Sequence, residues 1–178
     1  MKSALVLTVI GPDRPGLVEA LAAVVAEHGG NWEQSRMARL GGQFAGILKL
    51  TVATEKIGAL HAALEGLSGR GLRIVSEATS HEPEPKFRAF HLEVVGNDRE
   101  GIVRDVSRAL AARGVNVEEL DTSCESAPMT GGMLFHADAV LRVPEGQDIE
   151  QLRKALEALA DDLMVDVQLL PKDQRPNR

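Results

Sequence analysis

Two α+β domains, each an antiparallel sheet with two helices on one face, are predicted by three observations. The chain spells Gly-x-Asp-Arg-x-Gly twice, at 11–16 and at 96–101. Setting Gly11 on Gly96, an offset of 85 residues, also lays Val18, Gly29, Asn31 and Glu33 on Val103, Gly114, Asn116 and Glu118 without a gap. In each copy, strand-like apolar runs and helical i, i+3, i+4 runs follow the order βαββαβ. A repeat this long is a duplicated domain, and its order is that of the ferredoxin-like split βαβ unit, whose right-handed crossovers put both helices on one side of the sheet.

Each element has its own signal. In the first copy "ALVLTVI" reads as a strand, and Leu17, Val18, Leu21, Val24 and Val25 recur at helical spacing up to Gly29-Gly30, which ends the helix. "NWEQSRMARL" and "QFAGILKLTV" flank Gly41-Gly42, a two-residue hairpin signal. Ile57, Leu60, Leu64 and Leu67 mark a second helix, and "LRIVSEAT" a last strand. The second copy runs "FHLEVVG", a helix on Ile102, Val103, Val106 and Leu110, "NVEELDTS", "MLFHADAVLRV", a helix on Ile149, Leu152, Leu156 and Leu159, then "MVDVQLL". Its hairpin carries "CESAPMTGG", too long for a tight turn, and long loops more often serve function. The expected organisation is a first domain at 1–80, a linker at 81–87 where "SHEPEPK" interrupts periodicity, a second domain at 88–171 and a disordered tail at 172–178.

Bulk properties limit the function. With 20 Lys+Arg against 26 Asp+Glu the formal charge is −6, and aromatics are 3% with no Tyr, so neither a basic face nor stacking platforms for nucleic acid are expected. A single cysteine, Cys124, excludes an intramolecular disulfide and fits a reducing cytoplasm. No stretch reaches the ~18 apolar residues of a membrane span, and the N-terminal apolar run stops at Gly11-Pro12 without a cleavage pattern.

The repeated loop leaves the first strand and opens the first helix, where free backbone N–H groups and the positive dipole end attract a carboxylate or other anion. Gly16 and Gly101 would let a ligand approach the backbone, while Asp13 and Asp98 could accept a bond from an ammonium group. A structural reading stands beside this one: Asp as N-cap, Gly for close packing, Pro15 preset for the first turn. Arg14 and Arg99 are harder to explain structurally, although an Arg at a helix start is usually solvated. Asn31 and Asn116 begin the second strand, beside this loop, and turn chemistry accounts for such residues more often than binding does.

These residues carry a resemblance. "GPDRPGLVEALAAVVAEHGGNW" and "GNDREGIVRDVSRALAARGVNVEEL", with the βαββαβ order, resemble the ACT domain, a small-molecule regulatory module that commonly binds amino acids. The tandem pair with "SAPMTGGMLFHADAVLRVP" in its second hairpin is most similar to the glycine cleavage system transcriptional repressor family. The resemblance implies a non-enzymatic regulator of glycine catabolism with no cofactor, glycine or a similar amino acid as signal, and a separate DNA-binding transcription regulator as protein partner. Direct nucleic-acid or membrane binding is not implied, and a homodimer is compatible with it. Ligand-binding residues implied by position are Asp13, Arg14, Gly16, Leu17 and Asn31, and Asn97, Asp98, Arg99, Gly101, Ile102 and Asn116. Residue 12 is Pro where residue 97 is Asn, and only Asn offers side-chain donors and an acceptor, so the two sites need not bind equally.

Two other features carry reactive side chains. His91, Glu93, His136 and Asp138 alternate on two strands that the fold makes neighbours; they could hold a metal, but a solvated polar face is the simpler expectation. Cys124 has no basic neighbour in sequence and reads as an inert thiol, and His28 and His61 as surface residues. The alternatives to an amino-acid-responsive regulator are a ligand-free adaptor binding through the apolar open face of the first sheet, and a metal-dependent enzyme on the same frame.

Overall fold

A computed structural model describes residues 1–79, 86–126 and 132–172. The chain divides into two units, Met1–Glu82 and Pro83–Arg178. The first holds β1 (Lys2–Pro12), α1 (Leu17–Glu27), β2 (Asn31–Leu40), β3 (Gln43–Ala53), α2 (Ile57–Gly66) and β4 (Arg73–Ala78). The second holds β5 (Phe87–Asn97), α3 (Ile102–Ala111), β6 (Asn116–Ser126), β7 (Met133–Pro144), α4 (Ile149–Leu163) and β8 (Val165–Pro171). Phe87, placed in the linker by sequence, is therefore the first residue of β5. The rest of the expected linker, apart from Lys86, and tail residues 173–178 lie outside the described residues.

Both sheets are antiparallel with the split order, β2-β3-β1-β4 and β6-β7-β5-β8. Alternate residues of the central strands, Leu5, Leu7 and Val9 on β1 and Leu48, Leu50 and Val52 on β3, pack with Leu17, Leu21, Leu60 and Leu64 of the helices. Leu92, Val94, Leu141 and Val143 pack likewise with Ile102, Leu110, Leu152 and Leu156. Each fully buried Leu contributes about 1.5–3 kcal/mol relative to an exposed one, so these faces fix the register of each sheet. The opposite face of the first sheet leaves Ile47 and Val75 more than half exposed. Val18 and Val103, which sequence periodicity put with the core, are exposed at the first turns of α1 and α3.

Glu33 and Glu118 fall where the pairing of β2 and of β6 skips a residue, a β-bulge in the same place in both copies. Two glycines of the repeated motif do different work. Gly11 and Gly96 end β1 and β5 in close packing, since a Cβ on Gly11 would sit 2.5 Å from the Gly71 carbonyl oxygen and one on Gly96 2.6 Å from Val165 Cγ1. Gly16 and Gly101 adopt φ of 87° and 94°, the left-handed region that other residues rarely adopt.

Candidate functional site

The turn after β1 is pinned to the tip of the neighbouring hairpin. Asp13 N donates to Gly42 O at 2.9 Å, and Asp98 N donates to Met133 O at 2.8 Å. In the second domain this sets the turn beside Ser126 and Met133, the two residues from which the hairpin insertion departs; insertion residues 127–131 lie outside the described residues.

Neither Asp13 nor Asp98 caps a helix, contrary to the structural reading of the sequence. The N-cap positions of α1 and α3 are Gly16 and Gly101, and neither helix has a side-chain cap bond there. By contrast α4 is capped by Asp148, whose Oδ1 accepts from Glu150 N at 2.9 Å and Gln151 N at 3.2 Å. A side-chain cap stabilises a helix by about 1 kcal/mol. α1 and α3 forgo it, and their entrances offer N–H groups at the positive end of the dipole.

The motif side chains Asp13, Arg14, Asn97, Asp98 and Arg99 are exposed, Gly16 is exposed and Gly101 half-buried. Leu17 and Ile102 are 7% and 3% exposed, so their side chains belong to the core and only their backbone is available at the entrance.

Asn31 and Asn116 do not join these residues within a domain. Asn31 pairs with Thr51, and Thr51 with Ala4 near the start of β1, about 27 Å along the strand from Pro12. Asn116 pairs with Arg142, and Arg142 with Ala89, at the same remove from Asn97. The cause is topological: α1 and α3 carry the chain back across the sheet, so the strand that follows must begin at the far end.

The two entrances carry different neighbours. Arg39, near the end of β2, places Nε 2.7 Å from Asp13 Oδ2. The residue at the matching offset, Cys124, lies across from Phe135 as Arg39 lies across from Phe44. Loss of solvent around the sulfur, with the Asp98 charge and hydrogen bond, pushes the Cys124 thiol above its ordinary value. At α3, Arg104 grips Asp105 through Nε at 2.8 Å and a terminal nitrogen at 3.1 Å. The Arg104 hydrogen bond, and more weakly the charges of Arg104, Arg108 and Arg99, hold the Asp105 carboxyl below the usual range, while Asp105 raises Arg104. Arg39, Arg104 and Asp105 were not singled out from sequence, although the 85-residue offset already set Arg39 against Cys124.

His91, Glu93, His136 and Asp138 do share one face. Glu93 stands opposite Asp138 and His136 opposite Val95, and His91 Nε2 is 2.9 Å from Asp138 Oδ2. This face is polar but not simply solvated, because His91 is only 6% exposed. Among the described residues no group of three or more His, Cys, Asp or Glu side chains is arranged to hold a metal. His28 and His61 are half-buried rather than on the surface; His28 Nδ1 bonds to Val24 O at 2.8 Å and His61 Nε2 to Ser76 Oγ at 2.9 Å. Among the described residues no helix is long and apolar enough to cross a membrane.

Comparison with known proteins agrees with this architecture. The profile of the ACT domain matches residues 3–72 and again 90–169. The glycine cleavage system transcriptional repressor of Escherichia coli (strain K12) is 28% identical over 162 residues, covering 89% of this chain and 85% of that protein. The UPF0237 protein SMU_72 of Streptococcus mutans is 35% identical over 78 residues, 44% of this chain and 82% of that protein. A crystal structure of an unknown protein from Galdieria sulphuraria superposes with a TM-score of 0.82 at 31% identity, covering 96% of this chain and 99% of the other.

Proposed function

The chain belongs to the ACT domain family, which it carries in tandem, and on that premise we propose that it is a non-enzymatic, amino-acid-responsive regulator. Its similarity to a glycine cleavage system transcriptional repressor supports a regulatory role. The finer reading is that glycine or a similar amino acid is the signal and that a DNA-binding transcription regulator is the protein partner. The net charge of −6 favours action through such a partner over direct contact with DNA.

The observation that carries this reading is the pair of uncapped, solvent-facing helix entrances, each with a carboxylate beside it. An amino acid presents an anion and a cation a few ångströms apart. Its carboxylate suits the N–H groups following Gly16 or Gly101, and its ammonium suits Asp13 or Asp98. The proposed ligand residues are Asp13, Arg14, Gly16 and Leu17 in the first domain and Asn97, Asp98, Arg99, Gly101 and Ile102 in the second, Leu17 and Ile102 contributing backbone only. Asn31 and Asn116 are not part of a single-domain pocket. Binding would act by favouring one population of the molecule over another, with no reaction required.

Isothermal titration of the full chain with a panel of amino acids is the direct test. Saturable heat from glycine or a close analogue, weakened in Asp98→Asn, is the expected result. Silence across the panel would leave an adaptor without a ligand.

A further inference from the structure

The two loops share a motif but not a partner. In the first, the carboxylate of Asp13 is met by Arg39 at 2.7 Å. In the second, the matching place on β6 holds Cys124, a neutral thiol where the first has a guanidinium, and among the described residues Asp98 forms no ion pair. Arg104, in the first turn of α3, lies close to Gly101, but its charge is already met by Asp105, onto which it is turned. An ammonium group arriving at Asp98 therefore meets a carboxylate with no guanidinium seated on it among the described residues, whereas one arriving at Asp13 must displace Arg39.

We infer that residue 39 and its counterpart 124 set the order in which the loops fill: the Asp98 loop is the stronger amino-acid site, and Arg39 occupies the ammonium seat of the Asp13 loop. This rests on the amino-acid-binding function proposed above and adds to it a specificity-determining residue outside the repeated motif. Magnitude decides the form of the effect. The Arg39 and Asp13 side chains are 67% and 36% exposed, and exposed ion pairs are weak, so Arg39 competes without closing the loop. The expected handicap is on the order of threefold to fivefold in affinity. Pro12 in place of Asn97 acts in the same direction, by removing side-chain hydrogen-bonding groups beside the first loop.

The test is titration of the isotope-labelled full chain with glycine, alanine and serine, following backbone amides by NMR. The amides of 98–102 are expected to saturate first, and those of 13–17, Pro15 aside, at several-fold higher concentration. Arg39→Cys should close the gap by strengthening the first loop, and Cys124→Arg should weaken the second by a similar factor. Both positions are exposed strand residues, so neither change threatens folding. Coincident saturation of the two loops, saturation of the first before the second, or an Arg39→Cys chain with an unchanged first loop would overturn the inference while leaving amino-acid binding intact. No response at either loop would overturn the inference and the proposed function together.

Discussion

Gly96 faces Val165 across the β5–β8 pair so closely that a methyl group on Gly96 would lie 2.6 Å from Cγ1 and 2.9 Å from the Cα of Val165. Backbone cannot yield as a side-chain tip can. Gly96→Ala is therefore expected to destabilise the second domain by about 1–3 kcal/mol, read as a lower midpoint in urea denaturation. Gly58 is the matched control. It sits exposed within α2 with nothing near its Cβ position, and Gly58→Ala should raise stability by about 0.5–1 kcal/mol.

Gly16 and Gly101 differ from Gly96 in kind, because φ rather than crowding is what demands glycine there. Ala at either position should cost about 1–2 kcal/mol. Asn, which tolerates the left-handed region better, should cost less than Ala. Thermal melts of the four single variants check the ranking. Gly16→Asn should also preserve more of any amino-acid response than Gly16→Ala.

Cys124 reports on Asp98. The thiolate is the reactive form, and partial desolvation together with the neighbouring carboxylate oppose its formation. At fixed pH the thiol should therefore react with a disulfide reagent more slowly than an unperturbed exposed cysteine. Its rate should climb only as pH rises beyond the ordinary thiol range near ~8.5. Asp98→Asn removes the opposing charge, lowers the thiol's pKa and should speed the reaction at pH 8 several-fold. A bound ammonium group at Asp98 would offset the same charge, so the thiol rate gives a readout of ligand binding independent of heat.

Asp148 caps α4 through two backbone bonds. Asp148→Ala should cost about 1 kcal/mol in denaturation and leave amino-acid titration curves unchanged. An altered titration would mean that the helix with a cap, and not only the helices without one, takes part in the response.

Much of this was legible in the sequence. Leu5, Leu7 and Val9 alternate, Leu60 and Leu64 recur at helical spacing, and Gly41-Gly42 turns the hairpin, because local periodicity and turn chemistry report burial directly. The level of Asn31 is not legible, for the opposite reason. Adjacency along the chain puts it beside the loop, while its level on the sheet is fixed by register with Thr51, which depends on where the crossover helix returns. The Arg39–Asp13 contact spans 26 residues and joins a hairpin tip to a strand end. No local pattern announces such a pair, although aligning the copies shows where they part.

The bulge at Glu33 and Glu118 bears on descent. A skipped residue kept at the same place in both halves was in the single module before it was copied, since two independent insertions at one site are a poor explanation of an exact match. Arg39 and Cys124, at matched positions five residues past each skip's second partner, differ. A difference at matched positions on a shared bulge arose after the copying.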